Sequence, residues 1–562
     1  MTFWILSAVV LPLCALLLVP SRATQPLLWR LLPLLPLPAL GLALMGPGNW
    51  QLELPGLLLG ARWQLDELRQ PFLLLTALLW SFAGLFASGY ITARRTSFAL
   101  YWGLTLSGNL GLVLAGDLVS FYTFFALMTF AGYGLVVHER KPDAFRAGRL
   151  YLIMAVFGEM ALLAGLILAA GAADSLLLAD LPGAIAASAD AVLIMVLLLC
   201  GFGVKAGLPL LHMWLPLAHP VAPTPASAVL SGAMIKAGLL GWLLTLPLGL
   251  ASYELPGTVL ALTGVVASLG AALIGVCQQQ AKAVLAYSSI SQMGLMTLML
   301  GIALAEPERA HWLLPLIGLY ALHHGLAKGA MFLSVGISSP CGSVPRGLYW
   351  LLLALPGLSL AGLPFTSGAH AKLAMKQALA PEGLSLWLAP WLSTLLSAGA
   401  VATMVLVLRF LWLQWQHTNK DGTDPRRAVG WLLTLVTSLV LFPWLAPGLP
   451  PAIESAPVDQ FNALPALLWP MLLAVLLAGG VLKAGTKAPV LPPGDLVVIL
   501  EAWVQKLPTH PGRARSRSYT ENKSRLPRGV AGIGSRLQQH EPWLQTQIAW
   551  LFVLILTGLM LG

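Results

Sequence analysis

The sequence predicts an all-α polytopic membrane protein with about 16 transmembrane helices, each drawn from a run long enough to cross a hydrocarbon core. Three observations carry this. Hydrophobic residues make up 58% of the 562 and charged residues only 10%, and the mean hydropathy is +0.81. An average soluble domain carries roughly 25% charged residues. So sparse a set of charges could not cover a water-soluble chain of this length. That excludes a cytosolic enzyme, a nucleic-acid reader and a disordered chain. The apolar residues also come in continuous runs and do not alternate, which argues against a transmembrane barrel. Finally, the basic residues behind the net charge of +10 sit mostly in loops between those runs, as membrane topology requires.

The runs lie near 2–19, 27–45, 71–91, 97–115, 118–137, 147–170, 190–212, 229–249, 257–277, 283–304, 312–336, 347–364, 384–412, 429–447, 463–482 and 546–561. The first has no basic region before it and no small-residue cleavage site, so it reads as a retained span. Arg94, Arg95, Arg140, Lys141, Arg146, Arg149, Lys282, Arg346, Lys420, Arg426 and Arg427 fall in loops of one parity, whereas the opposite loops hold few basic residues, notably Arg62, Arg69 and Arg309. The positive-inside rule then puts the first set in the cytoplasm and both termini on the non-cytoplasmic side. The long polar segment after Lys483 holds Arg513, Arg515, Arg517, Lys523, Arg525, Arg528 and Arg536. It has two readings, a solvated loop drawn to anionic headgroups or a docking strap for a neighbouring subunit. Within it, the apolar stretch 496–504 suits the membrane interface.

Cys14, Cys200, Cys277 and Cys341 form no close pair, so neither a disulfide framework nor a metal–sulfur site is indicated. With no Gly-rich phosphate loop either, no cofactor or metal is expected in this chain. Redox work would belong to partner subunits.

Several ionisable residues lie inside apolar runs: Glu159, Lys205, Lys236, His323, His324, Lys328 and Lys372, with Lys376 close by. A lysine at the bilayer centre costs about 2.5–3.5 kcal/mol on insertion scales, so it snorkels, pairs or works. Snorkelling would serve one such lysine but not four sites, and a buried titratable row follows. Desolvated lysine and histidine exchange protons near neutral pH. Two runs also look broken, at Leu208-Pro209 and Leu363-Pro364, because proline removes a backbone donor. Freed carbonyls at membrane depth are tolerated only against protein or a water-lined cavity. Discontinuous helices in corresponding halves mark transport sites. The tetrapeptide Ala206-Gly207-Leu208-Pro209 recurs as Ala361-Gly362-Leu363-Pro364. In a chain this rich in these residues the echo has two readings, chance or internal duplication.

The stretch Lys205-Ala206-Gly207-Leu208-Pro209-Leu210-Leu211-His212-Met213-Trp214-Leu215-Pro216-Leu217-Ala218-His219-Pro220, with its continuation to Ser231-Gly232-Ala233-Met234-Ile235-Lys236, resembles a specific family. It is that of the antiporter-like subunits of respiratory complex I, hydrogenase-4-type membrane-bound hydrogenases and Mrp cation/proton antiporters. Tyr287-Ser288-Ser289-Ile290-Ser291-Gln292, the His324 and Lys328 pair and Gly368-Ala369-His370-Ala371-Lys372 are similar to it too. The resemblance covers about residues 60–415 and is nearest the hydrogenase-type members. Pro492-Pro493-Gly494-Asp495 is similar to tails of hydrogenase- and Mrp-type members.

The resemblance implies a core of about 14 helices with two inverted five-helix repeats, each holding one broken helix. The expected organisation is N-terminal helices at 1–95, the first repeat at 96–250, the second at 251–415 and C-terminal helices at 416–484. A basic cytoplasmic segment at 485–545 and a final helix at 546–562 complete it. The resemblance also implies a proton pathway through Lys205, Lys236, His324, Lys328 and Lys372. Gating or loop roles fall to His219, His323, Pro209 and Pro364. One departure stands out: the family's fifth-helix glutamate is replaced in Phe124-Phe125-Ala126, and Leu217 stands where an acid often precedes Ala-His. Glu159 is the candidate substitute partner for Lys205, its other reading being a protonated structural acid. The expected function is a proton- or Na+/H+-translocating subunit of an energy-converting complex in the bacterial inner membrane. Its partners would be other membrane subunits, soluble redox subunits and the lipid bilayer. The alternative is a non-redox ion-coupled transporter, of the Mrp type or an inorganic-carbon uptake module.

Overall fold

The computed structural model describes residues 2–48, 50–337, 345–380, 384, 386–416, 424–445, 462–483, 491–494 and 497–498. The expected final helix, Lys420, Cys341 and the basic segment apart from 491–494 and 497–498 lie outside the described residues. Among the described residues, 8 helices are long and apolar enough to cross a membrane, and four shorter apolar helices accompany them. Helices are the economical answer to an apolar solvent, because every backbone bond closes within the segment.

The N-terminal region departs from expectation. Helix α1 (Thr2–Ala15) tightens into a 3-10 turn at Leu16–Leu18. The run at 27–45 is not one span but two short helices, α2 (Gln25–Leu31) and α3 (Leu37–Leu44). Pro33, Pro36 and Pro38 break it by removing donors. An antiparallel hairpin follows, Trp50–Leu54 against Ala61–Leu65, where the sequence suggested only a loop. Ala61, Trp63 and Leu65 are buried in alternation, the period-2 signature of a strand with one face covered.

Next come α4 (Gln70–Tyr90), α5 (Arg95–Leu114), α6 (Leu118–Val136) and α7 (Pro142–Ala173). Asp117 caps α6, its carboxylate accepting from Ser120 N at 2.7 Å and from Arg62 N of the hairpin at 2.7 Å. One short acid therefore satisfies an orphan helix donor and ties the hairpin to the bundle. A small α8 (Leu181–Ala187) leads into α9 (Ala191–Ala206), α10 (Trp214–Val221) and α11 (Thr224–Val229). A π-turn at Leu230–Met234 then joins α12 (Lys236–Thr245).

The second half holds α13 (Glu254–Val276), α14 (Ala281–Ala305), α15 (Ala310–Ser334), α16 (Arg346–Ala361) and α17 (Ser367–Ala378). Then follow α18 (Leu392–Gln416), α19 (Pro425–Leu445) and α20 (Leu464–Lys483). Helices α13 and α14 pack backbone to backbone through small residues. A methyl added at Gly264 would lie 2.6 Å from the Gly294 carbonyl, and one at Gly257 2.6 Å from that of Gly301. Such contacts drive helix association where lipid removes the hydrophobic incentive. The most apolar window of α14 and that of the stretch Thr224–Thr245 are 100% buried, whereas those of α7 and α13 are 44% buried. The stretches bearing Lys236, Ser231, Ser288 and Ser289 are thus among the innermost, whereas Glu159 lies on the inward face of the more peripheral α7.

Candidate functional site

Both suspected helix breaks are present, and they share a geometry. Helix α9 stops because Gly207 takes φ +81°, and α16 because Gly362 takes φ +103°. The next amide then reaches back: Leu208 N donates to Gly203 O at 3.0 Å and Leu363 N to Leu358 O at 2.9 Å. These are Schellman caps, which require the left-handed conformation that glycine adopts without strain. Pro209 and Pro364 follow, and each begins a turn. Leu211 N closes on Leu208 O and Thr366 N on Leu363 O, with Leu210 at φ +70° and Phe365 at φ +63°. Proline followed by a positive φ is the type II pattern, normally completed by glycine. Here bulky side chains carry it, 64% and 59% exposed.

Lys205 sits in the last turn of α9, nearer a helix end than the sequence suggested, because α9 stops at the glycine. Its ammonium is enclosed by aromatic faces, 5.8 Å from the Phe125 ring, 5.6 Å from Tyr151 and 5.9 Å from Trp214. It donates to the Tyr151 hydroxyl at 3.4 Å, and Tyr151 donates to the Thr129 carbonyl at 2.6 Å. The Val204 carbonyl freed by the break is taken by Trp214 Nε1 at 2.8 Å. A small cavity of about 20 Å³ lies alongside, lined by Lys205, Glu159, Thr129 and the three rings. Glu159 is 5% exposed. Both its carboxylate oxygens and Thr129 Oγ1 lack a protein hydrogen-bond partner. The two ionisable groups thus face one space without a direct ion pair within 4.0 Å.

The lysines further on are joined by serines of α14. Lys236 donates to the Ser231 carbonyl at 2.9 Å, an acceptor belonging to the π-turn. Ser231 and Ser289 hydroxyls meet at 2.7 Å, and Ser289 donates to the Leu285 carbonyl at 2.9 Å. Lys328 reaches that same carbonyl at 3.3 Å and Ser288 Oγ at 2.5 Å. Each hydroxyl has one proton, so the order is Ser231 to Ser289 to Leu285. A close approach holds this assembly together, since a methyl on Gly325 of α15 would lie 2.6 Å from the Gly232 carbonyl of the π-turn. His324 is fully buried between these elements, with both ring nitrogens unpartnered by protein.

Beyond Lys328 the second break takes over. Ser367 Oγ donates to the Ser438 carbonyl at 2.5 Å and meets His323 Nδ1 at 2.7 Å. Its proton is committed to the carbonyl, so it accepts, which places a proton on His323 Nδ1. Lys372 donates to the Ala361 carbonyl at 3.0 Å, the acceptor that the end of α16 leaves open. His219 stacks on Phe332 at 4.7 Å. It is completely buried, and neither ring nitrogen has a protein partner. Just beyond it α10 ends at Ala222, whose carbonyl accepts from Lys282 at 2.7 Å. Lys282, read as a loop cation, is instead a latch at the start of α14. The sequence reading gave no site role to Ser231, Ser288, Ser289, Ser367, Tyr151 or Lys282. The Tyr-Ser-Ser run on an apolar helix was the available signal for two of them.

Outside the spans, Arg426 donates to Asp424 through two guanidinium nitrogens at 3.2 and 2.9 Å. These bonds hold the Asp424 carboxyl below its ordinary range. Among the described residues no group of three or more His, Cys, Asp or Glu could hold a metal ion.

Fold and site together define a multi-pass membrane protein of the antiporter-like class. A family model described as NADH:quinone oxidoreductase/Mrp antiporter, transmembrane, matches residues 115–397, half of the chain, and the chain belongs to that family. It is 28% identical over 285 residues to hydrogenase-4 component B of Escherichia coli, covering 49% of this chain and 42% of that protein. It is 33% identical over 334 residues to Na(+)/H(+) antiporter subunit A1 of Staphylococcus haemolyticus, covering 55% and 41%. The matches thus span about two fifths of these relatives' length. In structure it resembles a chain of the Mrp complex from a Dietzia species, with TM-score 0.70, 21% identity and coverage of 100% of this chain and 63% of that one. A chain of the archaeal membrane-bound sulfane sulfur reductase gives TM-score 0.65, 22% identity and coverage of 82% and 98%. These two likenesses are of fold.

Proposed function

We propose that this chain is a proton-translocating subunit of a larger energy-converting membrane complex, of the NADH-quinone oxidoreductase or membrane-bound hydrogenase type. In this reading protons move along Lys205, Lys236, His324, Lys328 and Lys372. The observation that carries it is the serine link from the π-turn at Lys236 to the carbonyl shared with Lys328. Buried polar groups normally find a partner, often water, so water at the His324 nitrogens would bridge what the serines do not. Glu159 stands in for the acid missing at Ala126, exchanging a proton with Lys205 through water in their common cavity. His219, His323, Pro209 and Pro364 gate the path by moving the broken segments. Two inverted repeats around the breaks, the remaining spans up to about 16, a bacterial inner-membrane location and both termini outside the cytoplasm belong to the same proposal. So do redox subunits supplied by partners.

A second reading has its own support. The likeness of fold to the Mrp complex chain extends over 100% of this chain, which favours a non-redox cation/proton antiporter module equally. The two readings part on what co-purifies from the native membrane. Iron–sulfur or nickel subunits support the first, and a set of small membrane subunits alone supports the second. The proton path itself is tested by Lys236→Met in the intact complex, reconstituted in vesicles. Loss of proton movement is expected, and unchanged movement would remove the axis.

A further inference from the structure

A groove of about 880 Å³ lies between α13, α18 and α20. It opens sideways, and its walls are apolar, including Leu273, Val276, Val401, Val405, Leu473 and Leu477. One end differs. There Lys376, Ser393 and Thr394 line the same groove, with Trp469 beside them. Lys376 is half-buried on α17, two residues before that helix ends at Ala378. Among the described residues no acid lines the groove, and no hydrogen bond or ion pair holds this ammonium. Trp387 and Trp391 lie exposed on the adjoining segment, and tryptophans of this kind mark the headgroup level of a bilayer. Lys376 and Ala466 also line a narrow cavity of about 20 Å³ shared with Lys372, Ala361 and Leu396.

An ammonium and two hydroxyls at headgroup depth, above a long apolar trough, form the complement of one kind of molecule. We infer that the groove is a binding site for a single anionic phospholipid. Its phosphate lies against Lys376, Ser393 and Thr394, and its acyl chains lie along α13, α18 and α20. Charge decides between lipids: a zwitterionic headgroup brings its own cation to the phosphate and loses the advantage of the lysine, whereas phosphatidylglycerol does not. The location gives the lipid a consequence, since its headgroup closes the outer end of the cavity that reaches Lys372. The binding itself does not depend on whether the chain moves ions.

The test uses the full chain in its native complex, stripped of lipid in mild detergent and equilibrated with vesicles of phosphatidylglycerol and phosphatidylcholine in equal amounts. Retained lipid is then counted by native mass spectrometry. The wild type is expected to keep phosphatidylglycerol in preference, and Lys376→Gln to lose at least tenfold of that preference while melting at the same temperature in phosphatidylcholine alone. Leu273→Trp, which fills the trough and leaves the lysine in place, is expected to lower retention of either lipid. Equal preference in wild type and Lys376→Gln would overturn the inference. So would a photo-crosslinker at Val401 that labels protein, whether residues 546–562 of this chain or a partner helix, and not phospholipid.

Discussion

The serine link makes a sharp demand on Ser289. Its hydroxyl accepts from Ser231 at 2.7 Å and donates to Leu285 O at 2.9 Å. Ser289→Ala removes both bonds and leaves the Ser231 hydroxyl in a buried site. Two modest hydrogen bonds and one imperfectly satisfied hydroxyl cost about 1–3 kcal/mol of stability. Stability alone does not separate a relay from a scaffold, so a control is needed. Thr297 lies two turns further along α14, is 1% exposed and bonds only the Met293 carbonyl at 2.9 Å. Thr297→Val therefore removes a buried hydroxyl from the same helix without touching the link. Proton movement is followed with a pH-sensitive dye in vesicles carrying the intact complex. If the link passes charge, losing its ordered hydroxyls raises the barrier by at least about 1.4 kcal/mol, which is tenfold in rate. Ser289→Ala should then be slowed tenfold or more, Ser289→Thr much less, and Thr297→Val not at all. Equal rates for Ser289→Ala and Thr297→Val would refute the relay.

Other consequences are simpler. Glu159→Gln should keep the fold, since neither carboxylate oxygen is bonded to protein, yet slow proton movement tenfold or more; a rate within twofold of wild type would remove Glu159 as the partner of Lys205. The left-handed positions should respond with opposite signs in thermal melts. Gly207→Ala costs about 1–2 kcal/mol, whereas Leu210→Gly gains up to roughly 1 kcal/mol from relieved strain. Lys282→Met removes the donor to Ala222 O at 2.7 Å and should speed hydrogen exchange in 219–229, with exchange elsewhere in the chain unchanged. The Asp424 carboxyl is held low by Arg426, so its contribution is complete above the ordinary value of about 3.9 and is lost as pH falls through the lower folded value. Exchange at the first turn of α19 should accordingly rise below pH ~3.9 and not between 5 and 7, and Asp424→Asn should abolish that step.

What the sequence revealed and what it hid divide along one physical line. Apolar runs specify helices because their length is matched to the membrane, and the runs from 71 to 482 became helices close to where they were expected. Both breaks were legible because Gly-Leu-Pro is a local code: the glycine ends the helix and the proline prevents its resumption. The run at 27–45 misled because three prolines outweighed its hydrophobicity. The hairpin was invisible because each strand is five residues long and its alternating pattern is too short to stand out. The lysines announced themselves by their cost in lipid, but their acceptors did not. Ser231 O, Leu285 O and Ala361 O are backbone atoms, which every residue possesses. Nothing in Leu230–Met234 signals a π-turn, although that turn supplies the acceptor for Lys236. Lys282 passed for a topological marker because charge counting cannot tell a solvated cation from one bonded to a helix end.

The backbone acceptors also explain why the breaks and the lysines occur together. A buried ammonium needs acceptors, and an unbroken helix offers only the second lone pair of carbonyls already bonded four residues on. Lys236 uses a carbonyl of the π-turn and Lys372 one exposed where α16 ends. Lys328 shares one with Ser289. Lys205 is the exception, because the carbonyl opened by its own break is claimed by Trp214. It has instead three aromatic faces, each worth about 0.5–2 kcal/mol to a cation, a phenol, and an acid across a cavity. Helix irregularities hold two of the lysines and a helical carbonyl with a serine holds Lys328, so three of the four sites have acceptors without any acid. The fourth, where the family's glutamate has become Ala126, is the one whose cation is held by rings and faces a carboxylate on a different helix. The departure from the family pattern and the departure in local chemistry therefore fall on the same residue, and on the proposed proton path Lys205 is where this chain's behaviour should differ from that of its relatives.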